Sequence, residues 1–136
     1  MSTRKKYRSN YNSSRSCVYN INFHLVWTTK YRKKILSDNI QSALKIIISE
    51  KCTSLNISIR ALEIMNDHVH LFISTKPDVN LVKIISIIKG SSSFILRSNF
   101  PELKKLKCLW APSYFCESIG YVSQKNIIKY INNQKY

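Results

Sequence analysis

Between Tyr19 and Trp27, large apolar side chains fall at every second position. Tyr19, Ile21, Phe23, Leu25 and Trp27 alternate with Asn20, Asn22, His24 and Val26. A period of two places the two sets on opposite sides of an extended chain, so this segment reads as a strand with one apolar and one largely polar face. Such a strand requires a sheet whose apolar side is covered and whose other side carries different chemistry.

The remaining chain supplies both sheet partners and cover. After the basic turn Lys30–Lys34, Ser37 or Asp38 caps a predicted helix that carries Ile40, Ala43, Leu44, Ile47 and Ile48 to about Leu55. Ile57–Met65 and His68–Thr75 are rich in β-branched residues and read as strands joined by a turn at Asn66-Asp67. Pro77-Asp78 opens a second helix with Leu81, Ile84, Ile85 and Ile88 on its buried side, and Gly90 is expected to bend it or admit close packing. A connector over Pro101–Lys107 leads to a strand around Ser113–Ile119, which Gly120 ends. Ser123 then caps a last helix holding Ile127, Ile128 and Ile131. The order β-α-β-β-α-β plus a terminal helix predicts an α+β, ferredoxin-like split sandwich with an antiparallel sheet. Residues 1–16 are polar and basic and read as a flexible arm, leaving 17–136 as a single domain.

Charge narrows the partner. The 136 residues hold 22 Lys+Arg against 7 Asp+Glu, a formal net charge of +15. No acid precedes Asp38, whereas Arg4, Lys5, Lys6, Lys30, Arg32, Lys33 and Lys34 all do. Such an excess repels itself in a compact chain and points to a polyanion, with nucleic acid favoured. The bases do not follow one face of an amphipathic helix, and no apolar run approaches the ~20 residues of a membrane span. Without a signal-peptide pattern a cytoplasmic location is expected, nucleoid-associated when DNA is bound. Cys17, Cys52, Cys108 and Cys116 are scattered without a C-x-x-C pair and read as reduced packing residues. With Gly 2 in the whole chain, neither a phosphate-cradling loop nor the RNA-recognition signature is possible.

His68 and His70 lie two apart on a predicted strand, so their imidazoles share a face, while Val69, Leu71 and Ile73 take the other. Neutral imidazole is a common metal ligand, but a His-x-His pair alone is equally two polar positions on a wet face. Tyr130 and Gln134 are four apart in the last helix and also share a face, beside the docking stripe of Ile127, Ile128 and Ile131. Spacing alone leaves them as surface residues just as readily. His24 reads as a structural histidine, Asp67 as a turn former, Tyr114 as a packing residue, and Glu63 and Glu117 have no assigned part.

The stretch Met65-Asn66-Asp67-His68-Val69-His70-Leu71-Phe72-Ile73 resembles the HUH motif (His, hydrophobic, His) of single-tyrosine transposases. Three more segments are similar to the same family in the same order: Phe23–Arg32, Leu109–Phe115 and Ile128–Gln134. The chain thus resembles transposases of the insertion-sequence-200-like family. The resemblance implies that His68, His70 and Gln134 hold a divalent metal, Mg²⁺ or Mn²⁺, and that Tyr130 is the nucleophile. It implies cutting and rejoining of single-stranded DNA at insertion-element ends through a 5′-phosphotyrosine intermediate. It further implies a homodimer in which active sites can be completed in trans, and DNA hairpins as ligands. The basic arm and the Lys30–Lys34 cluster are the expected DNA contacts. Two alternatives stand beside this reading: a non-catalytic nucleic-acid-binding module on the same fold, and a related HUH single-strand nuclease acting on palindromic repeats.

Overall fold

The computed structural model describes residues 12–14 and 16–120. Its centre is a four-stranded sheet of β3 (Ile21–Thr28), β4 (Ser58–Ile64), β5 (His68–Thr75) and β6 (Phe115–Ile119), in the spatial order β4-β5-β3-β6. Every neighbouring pair is antiparallel. Helices α1 (Asp38–Ser54) and α2 (Leu81–Asn99) complete the βαββαβ order, with a short α3 (Pro101–Lys104) after them. This is the expected ferredoxin-like split sandwich.

The alternation in β3 is realised as face selection. Leu25, Trp27, Val69, Leu71 and Ile73 are each at most 2% exposed and form one core with Ile40, Leu44 and Ile48 of α1 and Ile84, Ile85, Ile88 and Leu96 of α2. Ladder partners share a face, so Asn22, His24, Val26 and Thr28 of β3 lie beside Ser74, Phe72, His70 and His68 of β5 on the opposite side. That second side is also buried, with His24 at 0%, Phe72 at 0% and His70 at 3% exposure, rather than wet as its polarity suggests. A bulge between Ile59 and Ala61 lets β4 insert Arg60 and keep pairing with β5.

Helix α1 begins one residue past Ser37, with Asp38 in its first turn where the helix dipole favours a negative charge. Its chain exits through Asn56 at φ 58°, a left-handed position that Asn tolerates. Helix α2 begins later than Pro77-Asp78 suggests. Asn80 is its N-cap, accepting from Lys83 N at 3.2 Å, and Val79 stays outside the helix. Gly90 neither bends α2 nor admits a neighbour, since a Cβ there would meet nothing within 4 Å. Part of the presumed arm is ordered, because β1 (Asn12–Ser13) pairs antiparallel with β2 (Val18–Tyr19). Among the described residues no helix is long and apolar enough to cross a membrane. The terminal helix anticipated after Gly120 lies outside the described residues.

The segment after α3 is pinned against the sheet. Trp110 packs edge-on to Trp27 with ring centroids 6.0 Å apart, and its Nε1 donates to Ser92 Oγ at 3.0 Å. Lys30 N donates to Leu109 O at 2.9 Å and Ala111 N to Thr28 O at 3.0 Å, which joins this segment to the end of β3.

Candidate metal centre and nucleic-acid interface

His68 opens β5 opposite Thr28, and His70 follows on the same face opposite Val26. Their ring centroids are 5.0 Å apart with the planes at 72°, so the two imidazoles converge. Each is held through its Nδ1. His68 Nδ1 lies 2.6 Å from Asp67 Oδ1, and His70 Nδ1 lies 3.1 Å from His24 Nε2. A carboxylate accepts only, so it selects the His68 tautomer with the proton on Nδ1 and the lone pair on Nε2. If His70 likewise donates from Nδ1 to His24, its Nε2 is also free of a proton. A neutral imidazole with its proton on Nδ1 is a form that binds metal through Nε2.

The electrostatics agree with that protonation state. Burial pushes the pKa of His70 down to about 4, and the neighbouring His68 and His24 push the same way. Burial also lowers His24, partly offset by the negative charge of Glu117. Burial alone would raise the Asp67 carboxyl. The hydrogen bond from His68 and the charge of Arg32, whose Nε stands 3.3 Å from Asp67 Oδ2, outweigh it and hold Asp67 ionised. His70 is thus neutral near pH 7 and Asp67 is an anion that can orient His68.

Two histidines are an incomplete donor set. Among the described residues no three His, Cys, Asp or Glu side chains form a group that could hold a metal ion. An oxygen or nitrogen donor from elsewhere is needed. Tyr130, Gln134, Arg4, Lys5 and Lys6 lie outside the described residues. Of the basic cluster, Lys30 and Arg32 fall in a 3-10 turn (Lys30–Arg32) at the mouth of the site, with Lys33 and Lys34 exposed just beyond.

His24, Asp67 and Arg32 form a second layer that sequence reading undervalued. Asp67 does shape the turn, its carbonyl accepting from Thr29 N at 2.9 Å, but its side chain also orients His68. His24 stacks on His70 at 13° between ring planes and meets Phe115 edge-on. The alternation placed His24 on the polar face, but only the register could set it beside His70. Register also brings Glu63 of β4 opposite His70 and Glu117 of β6 opposite His24, so carboxylates flank the histidines on both neighbouring strands.

Comparison with known proteins gives a consistent result. The family described as "Transposase IS200 like" matches residues 17–134. The chain is 31% identical over 123 residues to the ISDra2 transposase TnpA of Deinococcus radiodurans, with 88% of each covered. It is 27% identical over 119 residues to the transposase for insertion sequence element IS200 of Salmonella typhimurium, covering 85% of this chain and 78% of that one. A crystal structure assigned to a transposase of Deinococcus radiodurans R1 superposes with TM-score 0.76 at 34% identity, covering 90% of this chain and 97% of that one. A REP-associated tyrosine transposase bound to a REP hairpin shares the fold, with TM-score 0.62, 15% identity and coverage of 89% and 68%.

Proposed function

From the premise that this chain belongs to the IS200-like transposase family, we propose that it cuts and rejoins single-stranded DNA at insertion-element ends. Tyr130 is the nucleophile in this reading, and His68, His70 and Gln134 hold a divalent metal, Mg²⁺ or Mn²⁺. The observation that carries it is the pair of adjacent imidazoles, each engaged through its Nδ1, His68 with Asp67 and His70 with His24, their ring centroids 5.0 Å apart. Nitrogen donors backed in this way fit a divalent cation, and an amide oxygen such as that of Gln134 supplies the kind of donor the set lacks.

A cation bound there supplies Lewis-acid stabilisation of charge on the scissile phosphate. Asp67 fixes the ring of His68, and His24 fixes the ring of His70, so neither has to reorient when substrate arrives. Tyr130 Oη attacks phosphorus, forming the tyrosyl phosphoester as the bond to the 3′ oxygen breaks. That oxygen departs with a proton as a free 3′-hydroxyl, and the 5′ side stays on the protein. A second 3′-hydroxyl then displaces the tyrosine, so one ester is exchanged for another and no nucleotide cofactor is consumed. Lys30, Arg32, Lys33 and Lys34, with Arg4, Lys5 and Lys6, neutralise the strand's phosphates. A homodimer, DNA hairpins as ligands, active sites completed in trans and a cytoplasmic, nucleoid-associated location follow from the same reading.

The test is to incubate the protein with labelled single- or double-stranded element ends plus Mg²⁺ or Mn²⁺ and resolve covalent adducts on a denaturing gel. Adducts form with single strands only, and Tyr130→Phe abolishes them while DNA binding survives. Adducts that persist in Tyr130→Phe would reject the nucleophile. Binding without any adduct would favour the non-catalytic module.

A further inference from the structure

Two clefts flank the 106–114 segment and take no part in holding the histidines. One, of about 450 Å³, is lined by Lys89 and Arg97 of α2 together with Lys107, Trp110, Pro112 and Tyr114. The other, of about 320 Å³, is lined by Lys30, Tyr31, Lys33 and Ile35 facing Lys107. Cys108 and Leu109 belong to both, so the clefts sit on either side of a single ridge. Their sizes suit a nucleotide rather than an ion. No Asp or Glu lines either one among the described residues, so both attract an anion.

The walls are built to hold their shape. Lys89 Nζ donates to Ala111 O at 2.8 Å and Ser113 O at 3.2 Å, and stands 5.9 Å from the centre of the Tyr114 ring. Arg97 Nη2 donates to Leu106 O at 2.6 Å. These bonds use carbonyls, and among the described residues neither positive charge is in an ion pair. On the other side, Tyr31 is 80% exposed at φ 58°, with Lys30 Nζ 5.2 Å above its ring. Arg32 is left-handed too, at φ 52°. A left-handed non-glycine residue is strained, and here that strain aims Tyr31 outward and returns Arg32 to Asp67. An aromatic ring displayed to solvent among cations is a stacking platform for an unpaired base.

A relay of bonds ties the ridge to the turn that orients His68. Lys30 N bonds to Leu109 O at the ridge, and Arg32 reaches Asp67, which holds His68. We propose that the ridge and its two clefts form a track for the unpaired DNA strand next to the scissile phosphate, with one nucleotide in each cleft. Tyr31 and Tyr114 supply the stacking faces, and Lys107, common to both clefts, contacts the phosphate between them. This deepens the reading above, since it rests on single-stranded DNA being the substrate.

The test uses the full chain without added metal and a thymidine oligonucleotide carrying single 5-iododeoxyuridine substitutions. Long-wavelength irradiation followed by peptide mass spectrometry is expected to place adducts on Tyr31 and Tyr114. In fluorescence anisotropy Lys107→Glu weakens binding of the same oligonucleotide about tenfold and flattens its salt dependence. Lys45→Glu makes the same change in net charge on exposed α1, away from both clefts, and stays within about twofold of wild type. Adducts missing from either ring, equal losses in the two variants, or no binding by the wild type would overturn the track. Adducts on both rings in a protein that never links through Tyr130 would retain the track and reject the proposed chemistry instead.

Discussion

The two middle strands of the sheet, β3 and β5, bury residues on both faces, and the two faces are built from different chemistry. On the helix side, Leu25, Trp27, Val69, Leu71 and Ile73 pack into α1 and α2. On the other, Asn22, His24, His70 and Ser74 are 7% exposed or less, beside Phe72. The first face is stabilised by removing apolar area from water, about 1.5–3 kcal/mol for each large side chain. On the second, Phe72 and Val26 contribute in the same way, but the polar side chains exchange bonds to water for bonds within the protein. Asn22 takes a hydrogen bond from Ser74 and gives one to Asn20, and His24 is joined to His70. Such exchanges come close to cancelling. Equal burial therefore does not mean equal contribution: one face holds the fold, and the other keeps imidazoles neutral and fixed.

That contrast can be broken by experiment. The largest expected effect is on chemistry. His70→Ala lowers metal-supported adduct formation at least about 10³-fold, the scale of losing several kcal/mol of transition-state stabilisation. Its urea midpoint falls less than that of Leu71→Ala, the adjacent residue on the other face. Leu71→Ala itself costs about 2–5 kcal/mol in urea unfolding, because the packed core cannot close over the cavity. Should the two variants lose equal stability, the division of labour between the faces fails.

Acid strikes the histidine face alone. His70 titrates at about 4 when folded against an ordinary 6.5, so on acidification the unfolded chain takes up the proton first. The contribution of His70 is whole above pH 6.5 and is lost between 6.5 and about 4, below which the lowered Asp67 continues the decline. Unfolding in chelator across that range is expected to show a loss of about 3 kcal/mol, with the lowered His24 adding in the same direction. A flat profile would mean that His70 is not desolvated. The smallest effect belongs to the exposed surface of α2. Gly90→Ala gains about 0.5–1 kcal/mol, read as a higher melting temperature, since the added methyl meets nothing and the unfolded chain loses freedom.

Much of this was legible in the residues themselves. The period of two in β3 and the His68-Val69-His70 spacing fixed which side chains share a face, because face follows from spacing alone. The start of β5 at His68 also came directly from the sequence. Periodicity carries no register, however, so the pairing of Val26 with His70 and the bond from His24 could not be read locally. Helix α2 illustrates the competition between two signals: a proline at 77 is a strong breaker, but the Asn80 side chain found a backbone donor and set the boundary. The left-handed turn at Tyr31 and Arg32 had no glycine to announce it. Contacts at distant positions, Asp67 and Leu109, hold it in place.

The placement of β5 between β4 and β3 has a kinetic consequence. A strand with partners on both edges exchanges its amide hydrogens only when the molecule opens extensively, so His70 sits on the slowest-relaxing part of the backbone. The Lys30–Arg32 turn is fastened to Leu109 and Asp67 but belongs to no sheet ladder, so it can open without the sheet opening. In the proposed reaction an incoming strand would thus meet a rim that can open by itself above a floor that moves only with the whole sheet.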